Sequence, residues 1–422
     1  MFIDLTTQSS IYYILCFCYI IIMFYKSKFA GFSKYHDNFL SLENTKSLRG
    51  IVSIAIFVHN YADRFKLFTN HYLLQQIFNN SPATYVGIFF FLSGYGIMKG
   101  FNTKKNYSNF FLLKRLPSII IPQYTSYIFY FFAIFYIGRG SWYTDRNPRI
   151  NPHVKESFNS QKKWIFTTIF SITIPNSCSW YIISVIWYYI IFYILYKFIK
   201  RDWLKFLILI ILTIVNIRTG FGYAPKNFYW FTYISWHKAP LNFTIGLIFA
   251  RYETIIITVY KKYYYCFLLF FSSTLIFGYN ILKTHSKYDK IKLYYYYILA
   301  NNIIGLSGVQ VILLFLMKFQ LNNFILSDLG EISAEIYLLQ KFFICGLRNK
   351  YVKFTNKGIN MIVTLIVIIS VARYVHQLNK FLVGQVKKLV DKYIDKYTNK
   401  KINHIKIEGD FEKVNISDVE TS

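Results

Sequence analysis

Cysteine is scarce. Cys16, Cys18, Cys178, Cys266 and Cys345 show no metal-ligand spacing and no disulfide framework, so no metal site is expected. Charge is scarce as well: 16% of the 422 residues are charged, against about 25% in an ordinary soluble domain. Acidic residues are the rarer kind, 19 against 48 basic, which leaves a formal net charge of +29. The lysines are dispersed between apolar segments, with no single basic domain. That pattern excludes nucleic acid as the partner and assigns the charge to loops that meet anionic lipid headgroups. The first apolar run has no basic stretch before it and no small-residue cleavage site after it, so it reads as a retained helix.

Hydrophobic residues make up 55% of the chain. They fall in repeated runs of membrane length separated by lysine-rich loops, which predicts an all-α polytopic transmembrane bundle of about 10–11 spans in the cell inner (plasma) membrane. The runs divide the chain into an N-terminal helix and basic loop (1–41), a transmembrane domain (42–376) and a cytoplasmic tail (377–422). The basic segment Lys26–Lys34 and the stretch Lys99–Arg115, which carries no acidic residue, are expected on the inner face. Ser81-Pro82 marks a helix start, and one span is expected over Phe324–Ile344. Within the tail, Phe381–Tyr397 has the apolar spacing of an amphipathic helix on the inner leaflet. Glu408–Ser422 is expected to be disordered.

Polar groups inside such spans are costly, so their placement is informative. The run LRGIVSIAIFVHNY, Leu48–Tyr61, holds Arg49 at one end and His59 and Asn60 at the other. Glu331 and Glu335 stand four apart, on one face of a helix. Gly138–Ser179 is a long polar insertion, and His237 lies in a Trp- and Tyr-rich stretch.

Several stretches resemble the acyltransferase-3 family of integral membrane O-acyltransferases. They are SLRGIVSIAIFVHNY (Ser47–Tyr61), GIFFFLSGYGIMKG (Gly87–Gly100) and FLLKRLPSIIIPQY (Phe111–Tyr124). Weaker matches are Ser179–Tyr196, Ala239–Glu253 and LGEISAEIYLLQ (Leu329–Gln340). Two departures stand out. His59 lies ten residues beyond Arg49, where family members often have eleven, and the last motif ends in Gln340 where a histidine is usual.

The resemblance implies an acyl-CoA donor, usually acetyl-CoA, and a carbohydrate hydroxyl acceptor, as part of a cell-envelope polysaccharide or a lipid-linked glycan. No permanently bound cofactor is expected. His59 is the candidate general base, since a neutral imidazole accepts a proton near pH 7; a transient acyl-enzyme on it is the alternative. Glu331 is the second catalytic candidate, to orient the base or the acceptor. Arg49, Lys114 and Arg115 suit donor phosphates, while Ser93 and Tyr95 offer hydroxyls along the donor path or form a packing face. His237 and Asn60 are acceptor-side candidates. A transporter or glycan flippase with charged cavity residues is the competing class.

Overall fold

The computed structural model describes residues 8–68, 71, 74–103, 107–136, 179–222, 239–284, 290–321, 323–346 and 356–417. The described chain is almost wholly helical. In order, the helices are α1 (Gln8–Phe24), α2 (Leu42–Phe65), α3 (Pro82–Thr103), α4 (Phe111–Arg115), α5 (Pro117–Tyr136), α6 (Ser179–Phe198) and α7 (Asp202–Gly222). After these come α8 (Leu241–Arg251), α9 (Glu253–Lys262), α10 (Tyr264–Thr284), α11 (Lys290–Lys318), α12 (Phe324–Glu331), α13 (Ser333–Gly346) and α14 (Lys357–Ser417). A two-residue antiparallel pair, Lys28–Phe29 with Phe319–Gln320, ties the loop after α1 to the end of α11.

Four of these helices contain stretches long and apolar enough to cross a membrane, namely Trp180–Phe198, Tyr264–Thr284, Tyr296–Lys318 and Lys357–Ile394. Helix α10 argues most directly for a lipid surround. Its Leu269, Phe270, Ile276 and Phe277 are all exposed, a face suited to a hydrocarbon solvent. The protein is a multi-pass membrane helical bundle.

Local chemistry sets the helix ends. Ser41 Oγ accepts from the Asn44 N–H at 3.4 Å to start α2. Asn323 Oδ1 takes the Ile325 N–H at 2.9 Å at the start of α12, and Asn356 Oδ1 takes the Gly358 N–H at 2.9 Å before α14; each removes an orphan donor. Lys318, nearly buried at the end of α11, donates to the carbonyls of Gly31, Phe32 and Lys34 at 3.1, 2.6 and 3.0 Å. Its ammonium also lies 3.8 Å from the Tyr35 ring centroid, so the loop leading to α2 is wrapped round one cation.

Two helix crossings are close enough to need glycine. At Gly94 on α3 a Cβ would overlap the Phe243 carbonyl of α8, and at Gly246 on α8 one would overlap the Phe91 carbonyl of α3. Gly50 on α2 and Gly330 on α12 make the same kind of reciprocal contact.

Three features were not anticipated from the sequence. The single span over Phe324–Ile344 is broken at Ile332 into α12 and α13. Helix α8 turns by 95° into α9 at Tyr252, where Glu253 takes the Tyr95 hydroxyl at 2.7 Å and pairs with Lys99. The helix of the last span does not end near Val375: α14 runs unbroken from Lys357 to Ser417, through residues 408–417 that composition marks as disordered. No proline interrupts that stretch, and the two glycines in its interior, Gly384 and Gly409, each cost a helix only about 1 kcal/mol. The long polar insertion after α5 lies outside the described residues.

Candidate functional site

Arg49 sits in the second turn of α2, half-buried. Its electrostatic neighbours come from three other helices: Arg115 at the end of α4, Tyr181 on α6 and Glu331 at the end of α12. Arg115 is solvent-exposed, yet it is ringed by Tyr107, Tyr181 and Tyr189 and hydrogen-bonded to Tyr189. Tyr189 is itself buried, so the solvent that Arg115 meets fills a cleft among helices. Ser93 on α3 completes the group, its hydroxyl 3.2 Å from that of Tyr181. Arg49, Ser93 and Arg115, three residues singled out from sequence, are thus brought together around Tyr181, and a fourth, Glu331, joins them through Arg49.

Two unneutralised guanidinium groups close together repel unless acidic groups or an anion lie between them. Glu331 is shared with other cations. The His376 Nε2 is 3.7 Å from it and the Lys380 ammonium 4.0 Å, both from α14. The other nitrogen of His376 is 3.2 Å from Glu335, which also accepts from Asn379 at 2.9 Å. Glu331 is exposed and Glu335 buried. Across the one-residue break at Ile332 both carboxylates face His376, which spans the two.

The remaining candidates for the donor side point elsewhere. Lys114 pairs with Asp391 of α14 at 3.1 Å. Tyr95 lies two residues from Ser93, so its side chain leaves the opposite side of α3, and its hydroxyl is taken by Glu253.

His59 stands ten residues along α2 from Arg49, about 15 Å up an unbroken helix and roughly 80° round it. Its Nδ1 is 2.8 Å from the Phe78 carbonyl oxygen. A carbonyl only accepts, so Nδ1 donates, and in the neutral ring Nε2 carries the lone pair. Asn60 beside it is half-buried. His237 lies outside the described residues.

Between the two ends runs a stripe of α3. Tyr85, Phe89 and Ser93 recur every four residues and are all half-buried on a helix whose other faces are largely buried. Tyr85 donates to the Ile77 carbonyl beside the segment that holds His59. Phe89 packs 6.0 Å from Tyr181, centroid to centroid, and Ser93 hydrogen-bonds to it. The stripe spans about 12 Å.

Sequence reasoning missed Tyr181, Tyr189 and His376. Among 39 tyrosines, two more carry no signal of their own. His376 stands at the edge of an apolar run, where an interfacial residue is ordinary. Among the described residues no group of three or more His, Cys, Asp or Glu side chains is placed to hold a metal ion.

No curated protein and no solved structure matches the chain. The acyltransferase domain of the acyltransferase-3 family matches residues 45–373, which include the arginine cleft, the α3 stripe and His59. With more than three quarters of its length matched, this multi-pass membrane protein belongs to the acyltransferase-3 family.

Proposed function

We propose that the protein transfers an acyl group, acetyl from acetyl-CoA in the simplest case, to a hydroxyl of an exported or cell-surface carbohydrate. The observation that carries the reading is the arrangement of two arginines and one histidine at opposite ends of the α3 stripe. Arg49 and Arg115 suit the phosphates of the donor, whose planar, bidentate recognition favours guanidinium. Ser93 and Tyr181 lie beside them with hydroxyls for the donor arm. About 13 bonds separate the inner phosphate of a CoA thioester from its sulfur; at about 3.5 Å per three bonds, an extended arm covers roughly 15 Å. That is the Arg49–His59 separation along α2.

In this reading the basic end, with Arg49 and Arg115, faces the cytoplasm and takes the donor, and His59 stands towards the far side, where the acceptor arrives. Nε2 of His59 removes the proton of the attacking hydroxyl as its oxygen bonds to the thioester carbonyl carbon. The carbon–sulfur bond breaks, and the departing thiolate takes up the proton, leaving an ester and free CoA. Glu331 acts from the donor end, holding Arg49 in place, and not as a base beside His59. Asn60 and His237 belong to the acceptor side, and residues 42–376 form the catalytic unit.

The test is transfer of label from radiolabelled acetyl-CoA to candidate envelope glycans in membranes containing the protein. Mass analysis of the cell's own glycans, with and without the protein, identifies the group and the acceptor. Labelling is expected to disappear in His59→Ala. Undiminished labelling in that variant removes His59 as the base, and label found only on lipid-linked sugar moves the acceptor to that class.

A further inference from the structure

Before α3 begins at Pro82, the chain makes a five-residue π-helical turn, Gln75–Asn79. Three consecutive carbonyls of this turn are taken by side chains. Ser81 Oγ donates to Gln76 at 2.8 Å, the Tyr85 hydroxyl to Ile77 at 2.7 Å and His59 Nδ1 to Phe78 at 2.8 Å. In a continuing α-helix the Phe78 carbonyl would receive the N–H four residues on. That residue is Pro82, which has no N–H. The helix does not continue, since the chain leaves it at Asn80 and Ser81; the oxygen is open to the imidazole there, Pro82 brings no competing N–H, and Tyr85, anchored on α3, holds the neighbouring peptide.

We propose that Pro82 and Tyr85 are positioning residues for His59: they keep the Phe78 carbonyl open and in place, so that the ring is held as the Nδ1–H tautomer with Nε2 as the proton-accepting atom. The inference rests on the reading of His59 as the base. The opposite tautomer would set the Nδ1 lone pair against the carbonyl oxygen, and nothing would then be gained from the 2.8 Å approach. The same function is served in many hydrolytic enzymes by a carboxylate. A neutral carbonyl orients the ring without adding a negative charge inside the membrane domain, where an unpaired carboxylate is costly.

The tautomer is read directly by magic-angle-spinning NMR of the full-length protein, labelled with 15N-histidine and reconstituted in phospholipid bilayers. The His59 signals are assigned by difference from His59→Gln. At a pH where the ring is neutral, a protonated Nδ1 and an unprotonated Nε2 are expected, and a dominant Nε2–H form overturns the proposal. Pro82→Ala supplies an N–H that competes for the Phe78 carbonyl. The expected result is a mixed tautomer population and a fall of about tenfold in kcat, with the KM for acetyl-CoA unchanged. Tyr85→Phe, which removes one hydroxyl and leaves the backbone intact, is expected to do the same to a smaller degree. If both variants keep the wild-type tautomer and kcat per folded molecule, whatever their thermal stability, the two residues do not position the ring. Full activity in His59→Gln would instead remove the base reading, and the NMR assignment would stand on its own.

Discussion

The crossing of α3 and α8 makes a quantitative demand. A Cβ at Gly94 would lie 3.0 Å from the Phe243 carbonyl carbon, and one at Gly246 would lie 2.9 Å from the Tyr95 nitrogen and 3.0 Å from the Phe91 carbonyl carbon. Ordinary carbon contacts are about 3.5–4.0 Å, and the Phe243 and Phe91 carbonyl oxygens stand closer still to these positions, so either alanine forces the helices apart by about 1 Å or more. Overpacking of this size costs about 1–3 kcal/mol. The two clashes lie across the same interface, and one separation relieves both. Gly94→Ala and Gly246→Ala are therefore expected to cost about 1–3 kcal/mol singly, and the double variant less than their sum by about 1 kcal/mol or more, the coupling of residues in direct contact. Equilibrium unfolding in mixed SDS–detergent micelles measures all three. Because Ser93 adjoins Gly94 and meets Tyr181 at 3.2 Å, the same displacement is expected to raise the KM for the donor. Strictly additive costs, or no cost in either single variant, would refute the claim that this interface is a backbone-to-backbone contact.

Two further outcomes follow from charge. Arg49→Gln is expected to raise the KM for acetyl-CoA about 10- to 150-fold, the loss of one charge-assisted hydrogen bond of about 1.5–3 kcal/mol, but to leave turnover of S-acetylpantetheine, which lacks the phosphates, nearly unchanged; an equal loss with both donors would place Arg49 elsewhere in the reaction. In the first turn of α7, Asp202 pairs with Lys205 at 2.9 Å and with Arg251 at 2.7 Å. Burial alone would push its carboxyl up, but hydrogen bonds and charge from Lys205 and Arg251 hold it below the ordinary carboxylate value. A depressed folded-state pKa stabilises above the unfolded value of about 3.9 and is lost as pH falls through the folded one. The stability gap between the wild type and Asp202→Asn should therefore be full at neutral pH and close below about pH 4, as followed by thermal inactivation across pH; a gap that persists in acid would show that the contribution is not ionic.

Much of the helical layout was legible because burial in lipid demands long apolar runs, and the chain has little else. Ser81-Pro82 marked the start of α3. Bends were not legible. The 95° turn at Tyr252 leaves no mark in hydrophobicity, since it is held by Glu253 reaching back to Tyr95 and Lys99, some 150 residues earlier. The break at Ile332 is equally silent, because Gly330 is needed there for its approach to α2 and not for a turn. The continuity of α14 was hidden for the converse reason. A fall in hydrophobicity after Val375 looks like the end of a helix, but composition tracks the solvent while the backbone follows its own ladder.

At the site, the arginines and the histidine were visible as polar groups where lipid makes them costly, whereas their partners were not. Tyr181 and Tyr189 become informative only once Arg115 is seen between them. Charge bookkeeping around the cleft then adds something no single residue shows. Arg49, Arg115 and Lys380 bring three positive charges against the carboxylates of Glu331 and Glu335, and Glu335 is turned towards His376 and Asn379. Glu331 is the one carboxylate facing Arg49 among that residue's neighbours, and it is already drawn towards α14. The arginine end therefore keeps a positive surplus. A surplus held in a cleft lined by tyrosine hydroxyls is more strongly felt by an incoming anion than the same charge on an open surface, where water and salt screen it. The dispersed lysines of the loops account for retention at the lipid surface; the two arginines, withdrawn from that surface, do not serve it, and a phosphate-bearing donor is the partner that their placement suits.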